Sequence, residues 1–242
     1  HERGDDAAAA RHFESAAELG RRTTLIDWHY RWNLAQARLR ESEGAWDAAL
    51  DLLDEAGQAY VKNPIPILRP IDARKARIYL KQGRPDKAAA WARARGLSVA
   101  GAVDYPAEYE ALTLARVRLG EGDFAGVDDL LERLLAAAAA QRRTGSLIEI
   151  LVTQALACQA RDDPPRSLAA LERALALAEP EGYRRIFVDE GEAMRRLLEQ
   201  LSRRRDHPLS RYAAKLLAVF ARPAGSSAAS AITGHGAALI ET

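Results

Sequence analysis

Ala37-Arg-Leu-Arg-Glu-Ser-Glu-Gly44-Ala-Trp-Asp-Ala-Ala49 and Ala76-Arg-Ile-Tyr-Leu-Lys-Gln-Gly83-Arg-Pro-Asp-Lys-Ala88 share one plan, with Ala37 answering to Ala76, Gly44 to Gly83 and Ala49 to Ala88. In each, an alanine stands seven residues before a glycine, and a second alanine stands five residues after it. The plan continues in both directions. Small turn residues recur at Gly4, Gly44, Gly83, Gly122 and Asp162. Seven residues before the turn come Ala37, Ala76, Ala115 and Ala155, and five after it come Ala9, Ala49, Ala88, Val127 and Ser167. Self-similarity at a fixed period, here about 39–40 residues, is the signature of a repeat architecture. The reason for small residues is steric, because two antiparallel helices joined by a short turn approach closely only where each offers a small side chain at the crossing.

Between these points the apolar spacing is helical. Leu50, Leu53 and Ala56 follow one turn, Leu130, Leu131 and Leu134 another, and Leu168, Leu171, Ala174 and Leu175 a third. Pro85 and Pro164-Pro165 fall at the start of second helices, where the missing N–H costs nothing, and Asn63-Pro64 and Tyr105-Pro106 mark breaks between repeats. The expected elements are a lone second helix at 5–19, then hairpins at 24–43 with 46–61, 66–82 with 85–95, 107–120 with 124–142, and 146–160 with 165–178. Residues 183–190 read as extended or turn, with Asp189-Glu190 in a turn or cap role. Helices near 191–204 and 208–221 are expected to cap the last hairpin. The fold expected is all-α, a tetratricopeptide-like right-handed superhelix of antiparallel helix hairpins with a period of about 39–40 residues. Residues 1–179 form the repeats, 180–222 the capping helices, and the Gly-, Ser- and Ala-rich 223–242 a linker. An orphan half-repeat at the start and a coreless tail suggest modules on both sides.

Composition narrows the function. The 242 residues carry 35 basic and 34 acidic side chains, a net charge of +1, whereas a domain that grips phosphate backbones carries a large positive excess. Direct contact with nucleic acid is therefore not expected. Cys158 is the one cysteine, so no internal disulfide forms. There is no apolar run of membrane-spanning length and no signal-peptide pattern, which makes the cytoplasm the expected location. The five histidines have no metal-ligand spacing, and HExxH, CxxC, GxxxxGK[ST], GxGxxG and GxSxG are all missing. An enzyme is not expected, and neither is a cofactor within these residues.

Two constellations are candidate ligand contacts. Arg38, Arg77 and Arg116 stand one repeat apart, each directly after a crossing alanine. On helices lining the concave side they would form a ladder suited to an anionic or hydroxyl-rich ligand or an acidic peptide. The competing reading is inter-repeat ion pairing with nearby Glu and Asp. Trp28 and Trp32, four residues apart, share a helix face. They form either a stacking platform for a flat ligand or the packing surface for the N-terminal helix. Tyr109 is a further groove candidate, with Tyr79 and Tyr105.

Leu114-Ala-Arg-Val-Arg-Leu119, Arg143-Thr-Gly-Ser-Leu-Ile-Glu-Ile-Leu151 and Leu168-Ala-Ala-Leu-Glu-Arg-Ala-Leu-Ala-Leu-Ala-Glu-Pro-Glu-Gly-Tyr183 resemble the repeat region of the large MalT-like, LuxR-type transcriptional regulators. Phe187-Val-Asp-Glu-Gly191 before an apolar helix resembles the segment closing that region, and Ala237-Ala-Leu-Ile-Glu-Thr242 the residues preceding its DNA-binding module. The resemblance implies three parts: an N-terminal ATP-binding module of the signal-transducing ATPase type, this helical sensor, and a C-terminal helix-turn-helix that contacts DNA. It implies that a small-molecule effector, a maltooligosaccharide in the namesake, favours an ATP-bound, self-associating state. No short motif transfers effector-contacting residues onto this sequence. The alternative is a tetratricopeptide-type protein–protein interaction scaffold.

Overall fold

The recurring turn residues end helices by one repeated device. Gly44, Gly83 and Gly122 take φ of 76°, 70° and 71°, and Asp162 takes 55°. At each, the N–H of the next residue reaches five residues back, Ala45 to the Arg40 carbonyl, Arg84 to Tyr79, Asp123 to Arg118 and Asp163 to Cys158, all at 2.9 Å. This left-handed closure satisfies carbonyls that the helix end would otherwise orphan. Glycine adopts the geometry without cost, and Asp tolerates it.

These turns punctuate an all-α superhelix. The computed structural model describes residues 6–22, 26–61, 67–204 and 206–220. Among them the helices are α1 (Asp6–Arg22), α2 (Trp28–Ser42), α3 (Trp46–Gln58), α4 (Ile71–Lys81), α5 (Pro85–Ala94), α6 (Tyr105–Glu121), α7 (Val127–Ala140), α8 (Thr144–Ala160), α9 (Pro164–Ala178), α10 (Arg185–Val188), α11 (Glu192–Ser202) and α12 (Ser210–Phe220). Helices α2 with α3, α4 with α5, α6 with α7 and α8 with α9 are the four hairpins. Gly4 and the linker 223–242, with Ala237–Thr242, lie outside the described residues. No helix among the described residues is long and apolar enough to cross a membrane.

The crossing positions are where the helices touch. Ala76, Ala115, Ala155, Ala49, Ala88 and Ser167 are 0% exposed, and Ala37 and Val127 no more than 3%. In the last hairpin the contact is direct, with the Ser167 hydroxyl donating to the Ala155 carbonyl at 2.8 Å. Each hairpin then hands its other face to the next. Ile78 of α4 joins the core of α2 and α3, and Val117 of α6 joins that of α4 and α5. The largest core is at the C-terminal end, where Met194, Leu197, Leu198 and Leu201 of α11 and Tyr212, Ala213 and Leu216 of α12 close over α8 and α9. Burying each leucine is worth about 1.5–3 kcal/mol, so these two helices anchor the end of the stack. The Tyr212 hydroxyl donates to the Tyr183 carbonyl.

Several boundaries differ from the sequence reading, among them the start of α2, at Trp28 rather than 24. Helix α4 starts at Ile71 rather than 66, because Pro70 is its N-cap at φ −56°, ψ 144° and proline pushes the preceding residue out of helical geometry. Helix α7 starts at Val127 rather than 124. The turn before it is held by Asp123 accepting from the Ala125 N–H at 3.0 Å, and Gly126 passes so close to Val99 that a Cβ would come within 2.7 Å of it. Residues 183–190, expected as extended or turn, are a turn at 189–190 but not throughout. They hold the short helix α10, nailed down by Phe187, which is 0% exposed among the residues of α8, α9 and α11.

Candidate ligand-binding groove

The residue after each crossing alanine faces the inside of the superhelix, so the repeat spacing brings one face of each first helix to a common space. Arg38 of α2, Arg77 of α4, and Arg116 and Tyr109 of α6 line a single cavity of about 950 Å³. The fourth first helix, α8, supplies Glu149, Thr153 and Leu156 to the same cavity. The wall is completed by the closing segment, through Arg185, Asp189 and Glu190.

Two of the ladder arginines, Arg77 and Arg116, pair with carboxylates across this space. Arg77 pairs with Glu149, 72 residues away, and its Nε donates to the Thr113 hydroxyl at 2.8 Å. Its guanidinium also lies 3.9 Å from the Tyr109 ring centroid, where the π face attracts a cation. Arg116 Nη1 pairs with Glu190 Oε2 at 2.7 Å, 74 residues away. Arg185 Nη2 pairs with Asp189 at 2.7 Å and donates to the Ser42 carbonyl at 3.1 Å, joining the closing segment to the end of α2. Lys81 holds Glu41 at 2.8 Å. The ion-pairing alternative to a ligand ladder is thus realised for Arg77 and Arg116, with partners two repeats on.

Burial would by itself raise the Glu149 carboxyl. Arg77, Arg69 and Arg116 more than reverse that and hold it down at about 2. Glu190 behaves alike: burial opposes ionisation, and Arg116 nevertheless lowers it below the usual glutamate value. For Asp189 burial wins and raises it, against Arg185 and Lys81. On the other side, Arg38 and Arg74 are lowered, first by burial and then by like charge, with Arg69 acting on both. Eight cationic side chains line the cavity against four carboxylates, so it carries a positive excess.

A second cavity of about 430 Å³ opens beside the first and shares Arg69, Arg74, Tyr109 and Glu149 with it. Its distinguishing residues are tyrosines: Tyr30, Tyr60 and Tyr105. Tyr30 and Tyr60 meet edge to face with centroids 5.3 Å apart.

Of the candidates read from the sequence, Arg38, Arg77, Arg116 and Tyr109 come together, and Tyr105 lines the annex. Trp28 and Trp32 do not reach either cavity. They stack on each other at 5.4 Å, Phe13 of α1 meets Trp32 edge-on at 5.9 Å, and Trp28 lies so close over Gly20 that no Cβ fits there. They pack α1 onto α2, the packing alternative for this pair. Tyr79 instead lies under Arg84 and Lys87, at 5.6 and 5.4 Å. Asp189 and Glu190 stand in the turn that ends α10, with Asp189 its C-cap as expected, and Glu190 is in addition the partner of Arg116. Sequence reasoning missed Glu149, Arg69, Arg74 and Arg185. Glu149 had a signal, a lone carboxylate inside the apolar run Leu147-Ile148-Glu149-Ile150-Leu151 and one repeat after Tyr109. No group of three or more His, Cys, Asp or Glu among the described residues is arranged to hold a metal ion.

Comparison with known families matches residues 1–204 to the MalT-like TPR region. No curated protein matches the chain.

Proposed function

Because this chain belongs to the family of MalT-like TPR regions, we propose that it is the effector-sensing and oligomerisation region of a LuxR-type transcription regulator. It binds a small-molecule inducer in the superhelix groove, and that binding gates self-association. The observation that carries this reading is the 950 Å³ cavity whose walls come from α2, α4, α6, α8 and the closing segment. A volume of that size suits a small molecule. A ligand touching several repeats at once has different affinities for different superhelix arrangements, which is what shifting a population requires. Arg38, Arg77, Arg116 and Tyr109 are the proposed contacts, while Trp28 and Trp32 serve packing.

In this reading the region performs no bond-making chemistry and acts in the cytoplasm. ATP is bound by an N-terminal module and DNA by a C-terminal helix-turn-helix, which fits a net charge of only +1 here. A second reading, a scaffold for protein partners, draws support from large apolar side chains left exposed near the N-terminal repeats: Leu19 at 62%, Ile26 at 77% and Val61 at 47%. A metabolite screen by thermal shift, followed by light scattering with each hit, tests the proposal. The expected result is a compound that raises the melting temperature and the assembled mass together. Hits that leave the mass unchanged, or a screen without hits alongside capture of a protein partner lost on Ile26→Asp, would favour the scaffold.

A further inference from the structure

The charges of the groove are unevenly matched. Each of its four carboxylates already has a close cation: Glu41 has Lys81, Glu149 has Arg77, Asp189 has Arg185 and Glu190 has Arg116. Arg74 has none within ion-pairing distance among the described residues. Its one hydrogen bond runs from Nε to the Arg69 carbonyl at 3.1 Å. Arg69 comes no nearer than 3.6 Å to a carboxylate, and that carboxylate is Glu149, which Arg77 holds. Arg74 therefore has no carboxylate of its own and Arg69 only a distant, shared one, while Arg69 adds like charge to Arg74 and both add it to Arg38. A guanidinium does not escape such crowding by losing its proton. Relief comes from an anion, and Arg is the side chain whose planar fork takes carboxylate or phosphate through paired hydrogen bonds.

Position adds to charge. Arg69 and Arg74 face both cavities, so an anion between them is within reach of either. The Arg69 side chain is 50% exposed, which leaves the way in from solvent open. Beyond the pair lies the annex, whose walls include Tyr30, Tyr60, Tyr105 and Tyr109 with Leu34 and Leu112. Tyrosine faces and leucines receive a flat, largely apolar body, and offset or edge-on ring contacts add to the area buried. At about 430 Å³ the annex has room for a body of one or two rings. A neutral sugar would leave the arginine excess uncompensated.

We propose that the groove takes an acid, a small molecule whose carboxylate or phosphate is gripped by Arg69 and Arg74 and whose flat body lies in the tyrosine annex. This rests on the effector-sensing reading and specifies its ligand class. The test is isothermal titration at low ionic strength, where surface charge is least screened, with phenyl phosphate and benzoate as probes. Inorganic phosphate supplies the anion without the body, phenol the body without the anion, and maltotriose a neutral control. The expected result is that phenyl phosphate or benzoate binds about tenfold or more tightly than phosphate or phenol, and which of the two binds tells phosphate from carboxylate. Arg74→Ala should weaken that binding by roughly tenfold or more, as for a lost charge-assisted bond. Its melting temperature should hold, because no ion pair is broken, and Arg173→Ala on exposed α9 surface should bind as the parent does. Failure of both acids to bind, or binding that Arg74→Ala leaves unchanged, overturns the assignment. Maltotriose binding in place of the acids overturns it as well, while leaving the effector-sensing reading intact.

Discussion

Replacing Glu149 by Gln keeps the shape and one hydrogen-bonding oxygen but removes the charge that balances Arg77. Both side chains are 15% exposed, so water does little of the work. The carboxyl falls from 4.5 to about 2 in the fold. At about 1.36 kcal/mol per pH unit, that is roughly 3 kcal/mol of preference for the ionised form. Breaking one side of a buried pair typically costs about 3–5 kcal/mol, and the retained amide oxygen puts Gln at the low end. For a chain of this length about 3 kcal/mol corresponds to roughly 6–12 °C in melting temperature. The sign of the pH dependence follows. The folded value is depressed, so the stabilisation is complete above the unfolded value of 4.5 and is lost as pH falls towards about 2. Urea unfolding followed by far-UV circular dichroism should therefore show a large gap between parent and variant near pH 7, narrowing towards about pH 3. A variant as stable as its parent at neutral pH, or a gap indifferent to pH, would refute the view that this pair is a buried, charge-dependent tie.

Ala76→Leu places three extra carbons at a helix crossing that is 0% exposed, and should cost about 1–3 kcal/mol or more, read as a lower urea midpoint. Arg142 takes φ of 53° between α7 and α8, so Arg142→Gly should raise stability by a few tenths to about 1 kcal/mol, seen as a modest rise in melting temperature. Tyr212→Phe removes the bond to the Tyr183 carbonyl and should cost about 1 kcal/mol at neutral pH by the same measurement. Burial pushes the Tyr212 phenol up to about 12 from 10.0. The parent's advantage should thus be whole below pH 10 and fade as pH rises from 10 to about 12, which a melting series across alkaline pH would reveal.

The sequence carried the parts of the fold that local chemistry decides. A left-handed turn favours Gly or Asp, and a close crossing favours Ala or Ser. Those demands act within one hairpin, so Gly83 and Ala76 announce themselves. The ladder was legible for the same reason, since a residue one step from a crossing alanine repeats its direction. Its partners were not. Which carboxylate meets Arg77 depends on how far the coil rises per repeat, and no local pattern states that it will be Glu149 of α8 rather than a carboxylate of α6. Similarly, four-residue spacing puts Trp28 and Trp32 on one face without saying whether that face meets solvent or α1. Arg69 lies in a connection without periodicity, just before Pro70, so nothing in its surroundings marked it as part of a site.

A coil whose turns touch only their neighbours is a spring, free to stretch by small equal amounts. Here Arg77 to Glu149, Arg116 to Glu190 and Arg185 to the Ser42 carbonyl lash together turns that are not adjacent. Lashings of this kind hold or let go; they do not lengthen by degrees. In the effector-sensing reading proposed above, a guest that took over one of these arginines would release its lashing as a step and not by degrees.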